Sequence, residues 1–304
     1  MALHEPVTTF AHISDVHLAP LPPLRAGQLI GKRMTGYLNW RIRRKDSLSG
    51  DGLETLVRHI REQNPDFIAV TGDLVNLALP DEMEHAREWL AALGPPGRVC
   101  VSPGNHDAYV RGSLELAQDS WGDYMRGETL DDTNAFPFVR RLGDIAVISC
   151  SSAVPSAPFF AIGDFDAAQA ERLSRILKMM GEAGYFRIIM IHHPPNQEAG
   201  SFRVGLRGAR EFRAVVAEHG AELILHGHTH QSSIFSIPGK NDDVPVVGVA
   251  AASAAQGHRS SDDPARYNLF KIERQGSGWS CNMREFGFQR LSPDIVLRLS
   301  LRIY

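Results

Sequence analysis

No stretch of the 304-residue chain approaches the ~20 consecutive apolar residues that a membrane-spanning helix needs. The longest weakly polar run, residues 246–255, is short and rich in alanine. The first nine residues lack both a basic start and an apolar core, so nothing there reads as a secretion signal. Cysteine is scarce. Cys100, Cys150 and Cys281 are odd in number and widely spaced, which argues against a disulfide framework and for reduced thiols in the core. These absences together lead us to expect a cytoplasmic protein. Repeats and low-complexity linkers are also missing. With 43% hydrophobic residues a large core is within reach, and a single domain over residues 1–304 is the expectation.

Acid is missing from one place in particular. Residues 16–45 contain no Asp or Glu, while Arg25, Lys32, Arg33, Arg41, Arg43, Arg44 and Lys45 give that block +7. The net charge is −3, so the remainder carries −10. A basic block inside an acidic chain calls for a local explanation.

What is present is a series of short apolar runs, each closed by polar residues. Residues 7–13 lead into Ser14-Asp15-Val16-His17, and residues 67–70 into Thr71-Gly72-Asp73. Residues 99–101 lead into Pro103-Gly104-Asn105-His106-Asp107, residues 188–191 into His192-His193-Pro194-Pro195, and residues 223–225 into His226-Gly227-His228-Thr229-His230. Runs without alternation suit strands covered on both faces. Between them, Leu53, Leu56, Val57 and Ile60 form a helical stripe that Pro65 ends, and residues 83–93, 166–182 and 209–219 have helical spacing too. Later segments at 232–237, 244–250, 267–273, 279–285 and 295–304 read as strands with no helix between them, the residues from 279 on forming a C-terminal β extension. The last alternates from Ile295 to Ile303 and is a candidate edge for pairing with a second chain, which makes a homodimer one expectation. The fold class expected is α/β, a four-layer sandwich of two mixed sheets flanked by helices. Its polar clusters sit at the carboxyl ends of strands, where open α/β sheets bind ligands.

Those strand ends offer Asp15, His17, Asp73, Asn105, His106, His192, His228 and His230. Carboxylates and imidazoles together suit divalent metals such as Zn, Mn, Fe or Co. A carboxylate such as Asp73 has two oxygens and can bridge two ions, which together clamp an in-line displacement at phosphorus. Alone, an Asp after a strand is more often a helix N-cap, and Gly104-Asn105 a turn. Five such clusters in order are not accounted for that way.

Asp15-x-His17, Gly72-Asp73, Gly104-Asn105-His106-Asp107, His192-x-Pro194 and Gly227-His228-Thr229-His230 resemble, in order, the five motifs of the calcineurin-like metallophosphoesterase superfamily, over about residues 10–231. The resemblance implies two divalent ions at the strand ends. One would take Asp15, His17, His230 and a bridging Asp73. The other would take Asp73, Asn105, His192 and His228. It implies phosphate-ester hydrolysis by a hydroxide held between the ions, with His106 assisting the leaving oxygen and Asp107 orienting His106. His193, Arg203 and Arg207 are further candidates for substrate contact. His4, His12, His59, His85, His219, His226 and His258 are expected to be structural or exposed.

The basic block becomes an insert at residues 18–46, directly after the first motif, with an amphipathic helix over residues 28–44 that groups Ile30, Met34, Tyr37 and Leu38. Seven cations with Tyr37 and Trp40 suit an anionic membrane surface. The leading expectation is therefore a phosphodiesterase acting on a lipid-linked or amphiphilic phosphodiester, with peripheral membrane contact through residues 25–45. A soluble cyclic-nucleotide or glycerophosphodiester phosphodiesterase is the alternative, and a non-catalytic scaffold a minor one. Nucleic acid is not an expected partner, because one basic block is thin support in a net acidic chain.

Overall fold

The computed structural model describes residues 7–24, 26–29, 31–43, 50–130, 136–196, 203–254, 263–276, 278–289 and 292–304. Two six-stranded mixed sheets form the centre. The first has the order β14-β13-β12-β1-β2-β3, built from β1 (Val7–Ile13), β2 (Phe67–Val70), β3 (Val99–Val101), β12 (Arg266–Gln275), β13 (Gly278–Gln289) and β14 (Ser292–Arg302). Within it β1, β2 and β3 are parallel, and the C-terminal strands add antiparallel to β1. The second sheet has the order β10-β11-β9-β7-β5-β4, from β4 (Phe138–Leu142), β5 (Ile145–Ser149), β7 (Phe186–Met190), β9 (Leu223–His226), β10 (Ser233–Ile237) and β11 (Val244–Gly248). A small pair, β6 (Gly163–Asp164) and β8 (Leu206–Arg207), runs parallel beside them.

Side-chain alternation turns these sheets into layers. On β7, Phe186, Ile188 and Met190 join the core shared with the first sheet, while Ile189, and Ile191 just after the strand, join a separate core under the helices. Leu223 and Leu225 against Ile224 repeat the pattern on β9. A period of two therefore buries both faces of one strand, one against the other sheet and one against helices.

The outer layers are α2 (Gly50–Glu62) and α3 (Pro80–Leu93) on one side, and α5 (Ala167–Glu182) and α6 (Ala209–His219) on the other. On α2 the stripe Leu53, Leu56, Val57 and Ile60 is buried as the spacing predicts, and Asn64 leaves the helix in a left-handed conformation (φ 47°) before Pro65. Asp166 caps α5 by accepting from the Gln169 amide at 2.7 Å. Gly220 ends α6 at φ 76°, where a Cβ would be strained.

Absent from the sequence reading are α4 (Ser113–Trp121) with the 3-10 turn that follows it (Gly122–Met125), the hairpin of β4 and β5, and the short pair β6 and β8. The expected basic helix is a single 3-10 turn followed by α1 (Lys32–Arg43). Arg25, Ile30, Arg44 and Lys45 lie outside the described residues. The expected common face is also divided, since Met34 and Leu38 are about half exposed while Tyr37 packs against the core.

Candidate metal centre

Each candidate ligand follows a strand, and the chain bends sharply to present it. Asp15, His17, Asp73, His228 and His230 have φ of 55°, 39°, 55°, 69° and 57°, the left-handed region that L-residues other than glycine, Asn and Asp seldom occupy. Such backbone persists where surrounding structure over-determines it, and it concentrates at functional sites. The glycines of the motifs allow the close approach: a Cβ on Gly104 would strike the Asp73 carboxylate, and one on Gly227 would strike Ser14 and Asp15.

The two sheets contribute opposite halves. From the first, Asp15 Oδ1 lies 3.1 Å from His230 Nε2 and 3.9 Å from His17 Nε2, and Asp73 Oδ2 lies 3.9 Å from His17 Nε2. From the second, His192 Nε2 reaches to 3.4 Å from Asp73 Oδ2. Asn105 Oδ1 is 3.0 Å from His228 Nδ1. All seven predicted ligands are thus brought to one place. Potential ligand atoms of Asp15, His17 and His230, of Asp15, Asp73 and His192, and of His17, Asp73 and His106 form three groups, each within 4.8 Å.

Three observations test whether metal ions fit here. Asp15 Oδ1 and His192 Nε2 are buried and form no regular hydrogen bond, an arrangement that costs free energy unless a cation satisfies it. The imidazoles are oriented from behind. His192 Nδ1 donates to Thr71 O at 2.6 Å and His17 Nδ1 to Val75 O at 3.2 Å, so both Nε2 lone pairs point inward. His228 faces two acceptors, Val204 O from Nε2 and Asn105 Oδ1 from Nδ1, each at 3.0 Å, and a neutral ring has one N–H for the two, so one nitrogen meets an oxygen lone pair with no proton between them. Two lone pairs held together in this way call for a cation.

The electrostatics agree. Burial pushes the Asp73 carboxyl upward, but the imidazoles of His192, His106 and His17 outweigh it and hold the group well below the usual carboxylate range. Burial depresses His228 to about 3, keeping a neutral, ligating imidazole. Burial works against a charged His192 as well, yet Asp73 lifts it to about 9, a proton held where a metal ion can replace it.

Two expectations need correction. Asp107 does not orient His106. Its buried carboxylate accepts from the amides of Asp73, Leu74 and Gly104, each at 2.9 Å, and so fastens two ligand loops together. The His106 ring is held instead by the carbonyl of Asn76, 2.6 Å from Nδ1. His193 is not a solvent-facing or substrate-facing group. It is wholly buried, with Nδ1 2.8 Å from Ser152 Oγ and Nε2 3.3 Å from Ala161 O. Arg203 and Arg207 are exposed near the site. Arg203 lies 5.8 Å over the Phe160 ring, and Arg207 pairs with Asp164 at 3.2 Å.

The sequence reading also passed over Glu82 and Tyr109, and took Lys32 only as one cation of the basic block. Glu82 is buried and accepts from the amides of Asn76, Leu77 and Leu79, bracing the loop that carries the His106 acceptor. Tyr109 stacks on His106 with centroids 5.2 Å apart and planes at 17°. Lys32 lies over Tyr109, 4.3 Å from its centroid. No local motif marks these residues.

Comparison with known proteins places this geometry. The probable cyclic nucleotide phosphodiesterase of Synechococcus sp. is 26% identical over 184 residues, 58% of this chain and 62% of that protein. Among solved structures, a dimetal phosphatase from Danio rerio superposes with a TM-score of 0.64 at 15% identity, covering 98% of this chain and 99% of that one. The Haemophilus influenzae NAD nucleotidase gives a TM-score of 0.51 at 10% identity, and the chain spans about half its length (99% of this chain, 50% of that one). The family model of calcineurin-like phosphoesterases matches residues 8–232, which contain every candidate ligand described above, and the chain belongs to this family.

Proposed function

We propose that the chain is a phosphodiesterase whose two divalent ions are held by Asp15, His17, Asp73 and His230 on one side and by Asp73, Asn105, His192 and His228 on the other. The observation that carries this is Asp73. Its carboxylate stands between His17 from the first sheet and His192 from the second, at 3.9 and 3.4 Å, beside the buried Asp15 Oδ1 and His192 Nε2, which form no regular hydrogen bond. When bound, such ions neutralise charge on the phosphoryl oxygens and lower the pKa of water near neutrality. The chain's own residues then fix the geometry. Thr71 and Val75 carbonyls orient the ligating imidazoles, Asp107 holds the Asp73 and Asn105 loops in register, and Asn76 holds the His106 proton on Nδ1. With Nδ1 engaged, Nε2 is the atom of His106 that can pass a proton to a departing oxygen when the ring is an imidazolium.

A soluble diester of the cyclic-nucleotide type is favoured by the 26% identical relative, whose printed name carries that activity. A second reading, an amphiphilic phosphodiester met at a membrane surface, is favoured by the exposure of Met34, Leu38 and Phe159 (49%, 51% and 79%) around Lys32 and Ser156. It is a weaker case than the bare charge of the insert suggests. Lys32 and Arg33 are turned onto the core, Arg33 donating to Leu77 O at 3.0 Å and Ala78 O at 2.6 Å. No described helix is long and apolar enough to cross a membrane.

The experiment is a substrate panel on protein loaded with Mn, Fe, Zn or Co: bis(p-nitrophenyl) phosphate, cyclic AMP, glycerophosphodiesters and phospholipid micelles. Diester turnover that vanishes with chelation and returns with metal is the expected result. Turnover indifferent to chelation overturns the reading. Co-sedimentation of a Met34→Ser/Leu38→Ser variant with phosphatidylglycerol vesicles decides the second reading, which predicts weaker binding than the wild type.

A further inference from the structure

A histidine ring swings broadly about χ2, so a tie at one ring atom leaves its plane loosely set. Asn76 O holds Nδ1 of His106, and two aromatic contacts set the plane. His17 meets the ring edge-on, with centroids 4.8 Å apart and planes at 85°. Tyr109 stacks on its face, with centroids 5.2 Å apart and planes at 17°. Offset stacking of this kind adds to the gain from buried area and fixes the angle between two rings. His17 is itself a candidate ligand. Tyr109 is not, and the chemistry described so far gives it no part.

What sets Tyr109 is α1. The Tyr109 side chain is buried, and the helix backbone presses on its phenol end at Gly36. A Cβ on Gly36 would collide with Tyr109 Oη, and it would lie 2.9 Å from Cζ and 2.8 Å from Leu77 Cδ2. One turn earlier, Arg33 donates to Leu77 O at 3.0 Å and to Ala78 O at 2.6 Å. Those two carbonyls follow Asn76, whose own carbonyl holds His106 Nδ1. One helix therefore backs two restraints on the imidazole, the stacked face through Tyr109 and the Nδ1 acceptor through the loop at residues 76–78.

We propose that Tyr109 is a positioning residue, wedged by Gly36 of α1 against His106, and that α1 serves hydrolysis by holding this imidazole where Nε2 meets the leaving oxygen. The proposal rests on the phosphodiesterase reading above, with His106 as proton donor, and deepens it. Tyr109 works through His106 and touches no reacting atom. Its leverage is geometric, because a misplacement of about 1 Å can cost ~100-fold in rate. The same contact gives the glycine its reason: at position 36 any larger residue would drive the helix and the tyrosine apart.

The test uses metal-loaded full-length protein and two diesters. Bis(p-nitrophenyl) phosphate releases a good leaving group that needs little help from an acid, and diphenyl phosphate a poorer one that needs more. Tyr109→Leu should lower kcat on diphenyl phosphate by about 10–100-fold and on the nitrophenyl ester far less, with KM and bound metal unchanged. Tyr109→Phe keeps the stacking ring and should retain most of the rate. In a His106→Asn background Tyr109→Leu should cost nothing further, since effects that pass through one residue are not additive. Gly36→Ala leaves every core side chain in place and favours the helix itself, so it tests the wedge in a variant that folds. It should reproduce the selective loss, and adding Tyr109→Phe, which removes the colliding oxygen, should restore the rate. An equal loss on both diesters, an additive loss in the His106→Asn background, or Gly36→Ala kinetics identical to wild type overturns the proposal. So does a wild type active on the nitrophenyl ester alone, because no proton donor is then at work. A wild type that hydrolyses neither diester sinks the phosphodiesterase reading instead, and that failure shows before any variant is compared.

Discussion

The Nδ1 atom of His106 lies 2.6 Å from the carbonyl oxygen of Asn76. A carbonyl can only accept, so the proton sits on Nδ1 and the ring is held in one orientation. Asn76 is itself tied down, its amide donating to Glu82 at 2.8 Å and its side chain to Leu18 O at 3.0 Å. His106→Asn should lower kcat on a poor leaving group such as cyclic AMP by ~10²–10⁴-fold with metal content intact. Metal loss in proportion to activity would instead make His106 a ligand.

Asp73 should be the costliest single position. Asp73→Asn removes the negative charge that faces both His17 and His192, so both ions should bind poorly and hydrolysis should fall by ~10³-fold or more. Metal analysis after gel filtration checks this. A full complement of two equivalents would refute the bridging role.

Asp107 fastens backbone rather than imidazole, and its removal should show in stability. Asp107→Ala leaves the amides of Asp73, Leu74 and Gly104 without their acceptor, at ~1–3 kcal/mol for each buried donor left unsatisfied. The urea midpoint should drop by several kcal/mol equivalents, and metal affinity should fall alongside. A midpoint equal to wild type would mean that water replaces the carboxylate at no cost.

Away from the site, Glu222 grips Arg187 through two oxygens, at 2.7 and 3.0 Å, with both side chains buried. Glu222→Ala strands a guanidinium and should destabilise the fold by about 3–5 kcal/mol. Because the pair lies outside the metal-ligand cluster, kcat of the folded fraction should stay close to wild type. Denaturant titration together with active-site-normalised kinetics separates the two quantities.

His12 supplies a pH dependence. Burial, helped by the charge of His226 and opposed by Asp15, depresses its pKa to about 3, while Nε2 pairs with Thr71 Oγ1 at 2.9 Å. In the unfolded chain the group titrates near ~6.5. As pH falls from there, the unfolded state takes up a proton that the folded state refuses, and stability declines by at most ~1.4 kcal/mol per pH unit. Between pH 7 and 5, His12→Gln should lose about 2 kcal/mol less than wild type. Parallel pH profiles would show that other groups carry the acid sensitivity.

What the sequence made legible was the set of positions where an unbroken apolar run gives way to polar residues. That junction marks both a strand end and a ligand, which is why Asp15, Asp73 and His192 could be found from order alone. The β4–β5 hairpin escaped because Arg140 and Arg141 interrupt the apolar run within β4 and Asp144 follows in the turn, and no polar cluster of the expected type follows them. Asp107 misled for a different reason. It adjoins His106 in sequence, but its partners are main-chain amides, which carry no residue signature. Lys32 was visible only as charge. Its neighbours Ser156 and Tyr109 are more than seventy positions away, and only folding brings them together.

The ligands come from both halves of the sandwich, Asp15, Asp73 and Asn105 from one sheet and His192, His228 and His230 from the other. A pair of cations seated among them would act as a rivet through the seam. Stripping the ions should therefore loosen more than the loops. The facing layers lose a fastener, so that the metal-free protein should part along that join before either layer comes undone.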